Sequence, residues 1–216
     1  MNKLALLALV GVAGTASADL LITEAYAGIT GEDGTADWFE VTWTGAGTFD
    51  TGILFYDDES ADPTVNAGLT SFILNTGESA IFLQDSDAAG IADFVAVWGP
   101  VANVGIAAGG GGLSQNGDGI FLFDGNTAGA NEVASVLFDG SDLTDLIATI
   151  VFDAAGNASS AELGVDGAFA SAAFFNDNIG GPEEMVSLVG SPGVVPSPGT
   201  IALLGLGGLV VGRRRR

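Results

Sequence analysis

Glu24 and Glu40 each fall within a β-rich run. Two carboxylates brought face to face are the equipment of a glycoside hydrolase, one acting as acid and the other as base or nucleophile. Spacing alone leaves their separation open and reveals no sugar cleft. A second kind of chemistry is suggested by Asp57-Asp58-Glu59 with Asp62, the densest acidic cluster in the chain. Loop carboxylates suit a hard cation, so Asp57, Asp58 and Asp62 are the candidate ligands for Ca²⁺, although a solvated hairpin loop accounts for them more simply. Two further stretches mimic the start of a calcium loop. Asp85, Asp87, Gly90 and Asp93 are followed by Ala96 where the closing acid belongs, and Asp124, Asn126, Gly129 and Glu132 by Ser135. Asp and Asn in such places more often cap turns with their own side chains. Gly109 to Gly112 is not a phosphate loop, because no Lys follows and Leu113-Ser114 leads to a strand.

Missing residue types exclude more than the present ones suggest. The chain has no His and no Cys, so Ser-His-Asp and Cys-His nucleophiles and His-ligated zinc or iron sites cannot be built. Its five basic residues are Lys3 and Arg213 to Arg216, while all 27 acidic residues lie between them. A body without a single Lys or Arg cannot neutralise phosphates, which argues against nucleic-acid binding and removes the usual clamps of phosphoryl transfer. Its stability has to come from core burial, with cations in the medium offsetting self-repulsion. No cofactor is expected beyond the one Ca²⁺ candidate.

Short apolar and aromatic runs bounded by turn residues must position these groups. Leu20 to Tyr26, Trp38 to Thr44, Ile53 to Tyr56, Ser71 to Leu74, Ala80 to Leu83, Ile120 to Phe123, Val133 to Phe138 and Ala148 to Phe152 read as strands. Phe39, Val41 and Trp43 alternate onto one face. Ile91, Phe94, Val95 and Trp98 instead recur at helical spacing, predicting one short helix over 87–98. Trp38, Trp43, Phe55, Phe82, Phe94, Phe121 and Phe123 are the expected aromatic core. Gly180 to Gly193 reads as loop. Many short strands with few helices predict an all-β sandwich.

The two ends carry a different message. Lys3, an apolar run from Leu4 to Val12 and Ala16-Ser17-Ala18 have the order of a cleavable export signal. The small side chains of Ala16 and Ala18 suit signal peptidase, with cleavage before Asp19. At the other end Val195-Pro196-Ser197-Pro198-Gly199 precedes an apolar run from Ile201 to Gly212 and then Arg213, Arg214, Arg215 and Arg216. As a helix that run spans roughly 18 Å, short of the roughly 30 Å hydrocarbon core. The basic cluster marks the side that stays cytoplasmic.

This tail resembles the PEP-CTERM sorting signal, also catalogued under an ice-binding-protein C-terminal name, with Ser197 where that family usually has Glu. The resemblance implies recognition by an exosortase, transient membrane association through the tail, and delivery to the envelope or extracellular matrix of a Gram-negative-type bacterium. It does not imply ice binding. The body carries a second resemblance, over roughly Leu20 to Asp139. Leu21-Ile22-Thr23-Glu24-Ala25, Asp37-Trp38-Phe39-Glu40-Val41 and Gly112-Leu113-Ser114-Gln115-Asn116-Gly117-Asp118 are similar to segments of the lamin-tail domain. That family implies an immunoglobulin-like β-sandwich.

The expected organisation is a signal peptide at 1–18, a lamin-tail-like domain with a C-terminal extension at 19–190, a linker with the sorting motif at 191–199, and a short transmembrane segment with its Arg tail at 200–216. The expected fold is an immunoglobulin-like β-sandwich with one short helix, a signal helix before it and an apolar helix after it. The expected function is that of a non-enzymatic structural or adhesive module meeting a matrix polysaccharide or protein. The alternative is a carboxylate-only glycosidase acting on matrix polysaccharide. A cleft holding two facing carboxylates would favour the enzyme, and a closed core the module.

Overall fold

The computed structural model of the chain describes residues 19–28, 35–58, 60–64, 67–109, 112–140, 147–176 and 184–194. The export signal with Ala16 and Ala18, the motif Val195 to Gly199, both expected terminal helices and Arg213 to Arg216 lie outside the described residues. Among the described residues no helix is long and apolar enough to cross a membrane.

The body is mostly β-sheet with one short helix. In chain order come β1 (Leu20–Tyr26), β2 (Trp38–Trp43), β3 (Thr48–Asp50), β4 (Phe55–Asp57), β5 (Ala67–Gly68), β6 (Ile73–Asn75) and β7 (Ser79–Gln84). The helix α1 (Ala88–Trp98) precedes β8 (Val104–Ala107), β9 (Gly117–Phe123) and β10 (Glu132–Asp139). Then follow β11 (Ile150–Phe152), β12 (Ala158–Ser160), β13 (Phe169–Ala170), β14 (Phe174–Asn176), β15 (Glu184–Val186) and β16 (Val189–Gly190). One sheet runs β12-β11-β1-β2-β7-β8 and a second runs β10-β9-β4-β5. Short ladders pair β3 with β6, β13 with β16 and β14 with β15.

Alternation builds the core between the two larger sheets. Leu20, Ile22, Ala25, Phe39, Val41, Ala80 and Phe82 of the first meet Leu54, Tyr56, Ile120, Leu122, Val136 and Phe138 of the second. The Phe39 and Tyr56 rings lie 5.0 Å apart across the gap. The outer face of the six-stranded sheet is covered as well. Tyr26, Trp38, Ile81 and Leu83 pack there against Phe94, Val97 and Trp98 of α1 and against Leu188. The helix buries Phe94, Val97 and Trp98, whereas Val95 is only partly covered, so the buried stripe sits slightly round from the one the sequence predicts. Asp87 caps the helix, its carboxylate accepting from Ala89 N at 2.8 Å and Gly90 N at 3.2 Å.

Of the expected aromatic core, Trp38, Phe82, Phe94 and Phe123 are buried, and Trp43, Phe55 and Phe121 are half-buried. The stretch expected as loop over 180–193 holds β15 and β16. Their partners β14 and β13 lie up to 21 residues away in sequence, and no local alternation announces ladders of two or three residues.

Candidate functional site

Glu24 and Glu40 are brought together. They are direct cross-strand partners on β1 and β2. A β-bulge makes this possible. Unbroken alternation would place Glu24 on the same inner face as Leu20 and Ile22. The register instead shifts between Ile22 and Glu24, so that Glu24 joins Thr23 on the outer face beside Glu40.

Both glutamates are 1% exposed, beneath the end of the C-terminal segment. Glu24 Oε1 accepts from Thr149 Oγ1 and from Ser191 N, the latter at 2.8 Å, and its Oε2 accepts from Ser191 Oγ at 3.0 Å. Glu40 Oε1 accepts from Thr23 Oγ1 at 2.6 Å, and its Oε2 from Gly193 N at 2.5 Å. A hydroxyl relay extends the site sideways. Thr23 Oγ1 lies 3.1 Å from Thr42 Oγ1, which lies 2.8 Å from Ser79 Oγ on β7.

Residues 190–194 form the lid over the pair. Val194 N donates to Ser191 O at 2.9 Å, closing a turn with Pro192 second and Gly193 third. Gly193 has φ +74°, the value that position of a type II turn demands. Gly190 has a different reason to be glycine: a Cβ there would stand 2.7 Å from Glu24 Oε1 and 2.8 Å from Thr149. The stretch expected to open a linker at Ser191 is therefore held against the sheet as far as Val194.

Burial pushes the Glu24 carboxyl up to about 7, against the hydrogen bonds from Thr149 and Ser191. Burial and then the Glu24 charge push Glu40 up to about 8, against the hydrogen bonds from Thr23 and Gly193. No Lys, Arg or His exists between residues 4 and 212 to offset either charge. Both carboxyls therefore hold a proton well above the ordinary carboxylate range, and they do so as one coupled pair. A glycosidase needs its two carboxyls to flank a sugar, with room for a leaving group or a water. Here every carboxyl oxygen already accepts from the chain itself and neither residue faces solvent.

The calcium candidates are placed differently. Asp57 is buried, its Oδ2 accepting from Ser60 Oγ at 2.6 Å and from Asp62 N at 2.7 Å. Asp62 Oδ1 takes Thr64 N at 2.8 Å and Thr64 Oγ1 at 2.7 Å. Asp57 and Asp62 thus each turn one carboxylate oxygen onto their own loop, while Asp58 is half-buried beside them. Among the described residues no three acidic side chains converge as a metal-holding group. Asp124 likewise binds Asn131 N and Nδ2, and Glu132 binds Ser135 Oγ. Sequence reasoning gave no separate weight to Asp37. Its two oxygens accept from Gly28 N at 2.6 Å and Leu113 N at 2.7 Å, tying three loops together. Its place directly before the Trp38 strand, at the head of the segment similar to the lamin-tail domain, was the available signal.

No protein-family profile, curated protein or solved structure matches this chain.

Proposed function

We propose that this chain is a non-enzymatic module of the bacterial envelope or extracellular matrix, structural or adhesive in role, built on a lamin-tail-like immunoglobulin sandwich. The observation that carries the reading is the closure of the Glu24–Glu40 pair. The carboxylate pair that the sequence put forward for acid–base work on a polysaccharide is sealed by Thr23, Thr149, Ser191 and Gly193. The lamin-tail likeness is supported by where its segments fall: Leu21 to Ala25 on β1, Asp37 to Val41 entering β2, and Gly112 to Asp118 leading into β9.

Export by signal peptidase and sorting by an exosortase through Val195, Pro196, Ser197, Pro198 and Gly199 complete the proposal. Two placements support it. Asp19 already belongs to the fold, its carbonyl accepting from Thr44 N at 2.7 Å. The lid turn ends at Val194, directly before the motif. A matrix polysaccharide or protein is the proposed partner. A body of 27 acidic residues without a basic one disfavours nucleic acid.

Mass spectrometry of the protein recovered from its own host tests the reading. The mature form should begin at Asp19 and lack Arg213 to Arg216. Recovery of the intact C-terminus from the extracellular fraction would rule out the sorting step.

A further inference from the structure

Leu163, Val165 and Val194 gather at one place on the surface, and two consecutive turns put the first two there. Val165 N donates to Glu162 O at 2.9 Å, and Gly164, third in that turn, has φ +81°, as a type II turn demands. Leu163 stands at its corner. Ala168 N then donates to Val165 O at 2.8 Å, and between them Asp166 at φ +46° and Gly167 at φ +90° are the two left-handed residues of a type I′ turn. Gly164 N closes the loop on Ala168 O at 2.8 Å. Turns of this kind are usually built from Gly, Pro, Asn, Asp or Ser. Here Leu163 is 66% exposed and Val165 48%. A tight loop that holds large apolar side chains out into solvent does not serve the core.

Val194 lies against the same loop. A Cβ on Gly167 would stand 2.6 Å from its Cγ1, yet the side chain is still 37% exposed. The body backs this end of the chain: a Cβ on Gly193 would stand 2.5 Å from Val101 Cγ1, and Val101 packs against the cluster over the outer face of the six-stranded sheet. Val194 is also the last described residue. In sequence only the six residues 195–200 separate it from the apolar run that begins at Ile201. Fully extended, they reach roughly 20 Å. With that run in a bilayer, Val194 and the loop it touches cannot stand far from the lipid surface.

We propose that Leu163, Val165 and Val194 form a shallow lipid-contact patch that seats the body on a net-neutral membrane surface beside the entry point of its own tail, a step that rests on the export-and-sorting reading, which puts Ile201 to Gly212 in the membrane. Charge selects the occupant. Glu162 and Asp166 are exposed in the same two turns, and the body holds 27 acids and no base. A second copy of the chain or an anionic lipid surface would bring like charge to like. Zwitterionic headgroups would not, and they keep the two acids hydrated while the three apolar side chains enter the headgroup boundary. Three side chains make a weak contact by themselves, but the tail tethers them to the surface and raises their effective concentration there. Seated this way, the end of the body that carries the lid faces the lipid. The motif Val195 to Gly199 is then held at the membrane surface, within reach of a membrane-embedded protease.

The chain has no Cys, so single cysteine labels test the contact on the full-length protein reconstituted into phosphatidylcholine vesicles. An environment-sensitive fluorophore is placed in turn at Leu163→Cys, Val165→Cys, Leu137→Cys and Leu204→Cys. Leu137 is 65% exposed but alternates with the inner residues Val136 and Phe138, which puts it on the outer face of the four-stranded sheet, away from the patch. Leu204 reports the tail. Labels at 163 and 165 should shift to the blue and lose emission to lipids brominated near the headgroup, while the label at 137 keeps its emission. Val165→Ser with Val194→Ser should abolish the loss at 163 and leave the label at 204 quenched. Quenching at 204 with none at 163 would overturn the patch and leave the sorting reading standing. No quenching at 204 would overturn both. A blue shift at 163 without lipid quenching would assign the patch to another protein surface and overturn the proposal.

Discussion

Replacing Glu40 with Gln should lessen the loss of stability that accompanies rising pH above neutrality. In the folded chain Glu40 is raised to about 8 and Glu24 to about 7, from 4.5 for each. A carboxyl whose folded pKa is raised binds its proton more tightly when native, so its contribution is complete below about pH 4.5 and is lost as pH climbs through 7 and 8. Each tenfold gain in proton affinity is worth about 1.4 kcal/mol, so the rise at Glu24 alone corresponds to a loss of about 3 kcal/mol across that window. The two protons belong to one pair, so their effects do not simply add. A loss of this order is a large fraction of the roughly 5–15 kcal/mol that holds a domain folded. Gln at position 40 is nearly isosteric. Its carbonyl can take Gly193 N, and its amide can donate to Thr23 Oγ1, which can turn its own proton toward Thr42. The measurement is urea unfolding of the full-length wild type and Glu40→Gln at pH 5, 7 and 9, followed by tryptophan fluorescence. The comparison at each pH cancels the repulsion among surface acids, which also grows with pH. The variant should match the wild type within about 1 kcal/mol at pH 5 and exceed it by about 1–3 kcal/mol at pH 9. A constant difference at all three values would refute the argument, because the pair would then not be titrating in the folded state.

Three further outcomes follow from the same contacts. Gly190→Ala should lose about 1–3 kcal/mol, because its methyl would stand 2.7 Å from Glu24 Oε1, whereas Gly129→Ala, with nothing within 4 Å, should be near neutral; matched denaturation curves check both. Asp37→Ala should cost about 1–3 kcal/mol and speed amide exchange at Gly28 and Leu113, which lose their acceptor; unchanged exchange at both would count against the staple. Raising NaCl to about 1 M, where the Debye length is about 3 Å, should raise the melting temperature of a body with 27 acids and no base; a flat response would show that self-repulsion is not limiting.

The strands with strong alternation were legible in sequence. β1 occupies Leu20–Tyr26 as expected, and the runs around Trp38, Phe82, Ile120 and Val136 differ only at their ends. The helix was legible because Phe94 and Trp98 repeat at its period and Asp87 stands where a cap belongs. β8, with Gly105 at its centre, and the short ladders after residue 157 were not, since their pairing comes from distant partners rather than local pattern. The site was half legible. Glu24 and Glu40 stood out as carboxylates on strands, but strict alternation assigns Glu24 to the face of Leu20 and Ile22. One extra residue at Thr23 reverses that assignment, and no side-chain pattern marks it.

The turn from Ser191 to Val194 explains how a body without any basic side chain can bury two acids. A cation is the usual partner for a buried carboxylate, and none is encoded between residues 4 and 212. The chain instead combines raised pKa values with backbone and hydroxyl donors. Pro192 has no N–H, so the donors of the turn are the residues on either side of it, and they divide between the pair: Ser191 N to Glu24 and Gly193 N to Glu40. Those bonds span 167 and 153 residues, so strands from the start of the domain cannot bury their acids until the last described turn arrives. Closure of the outer face is thereby coupled to completion of the body, immediately before the segment that carries the proposed sorting motif.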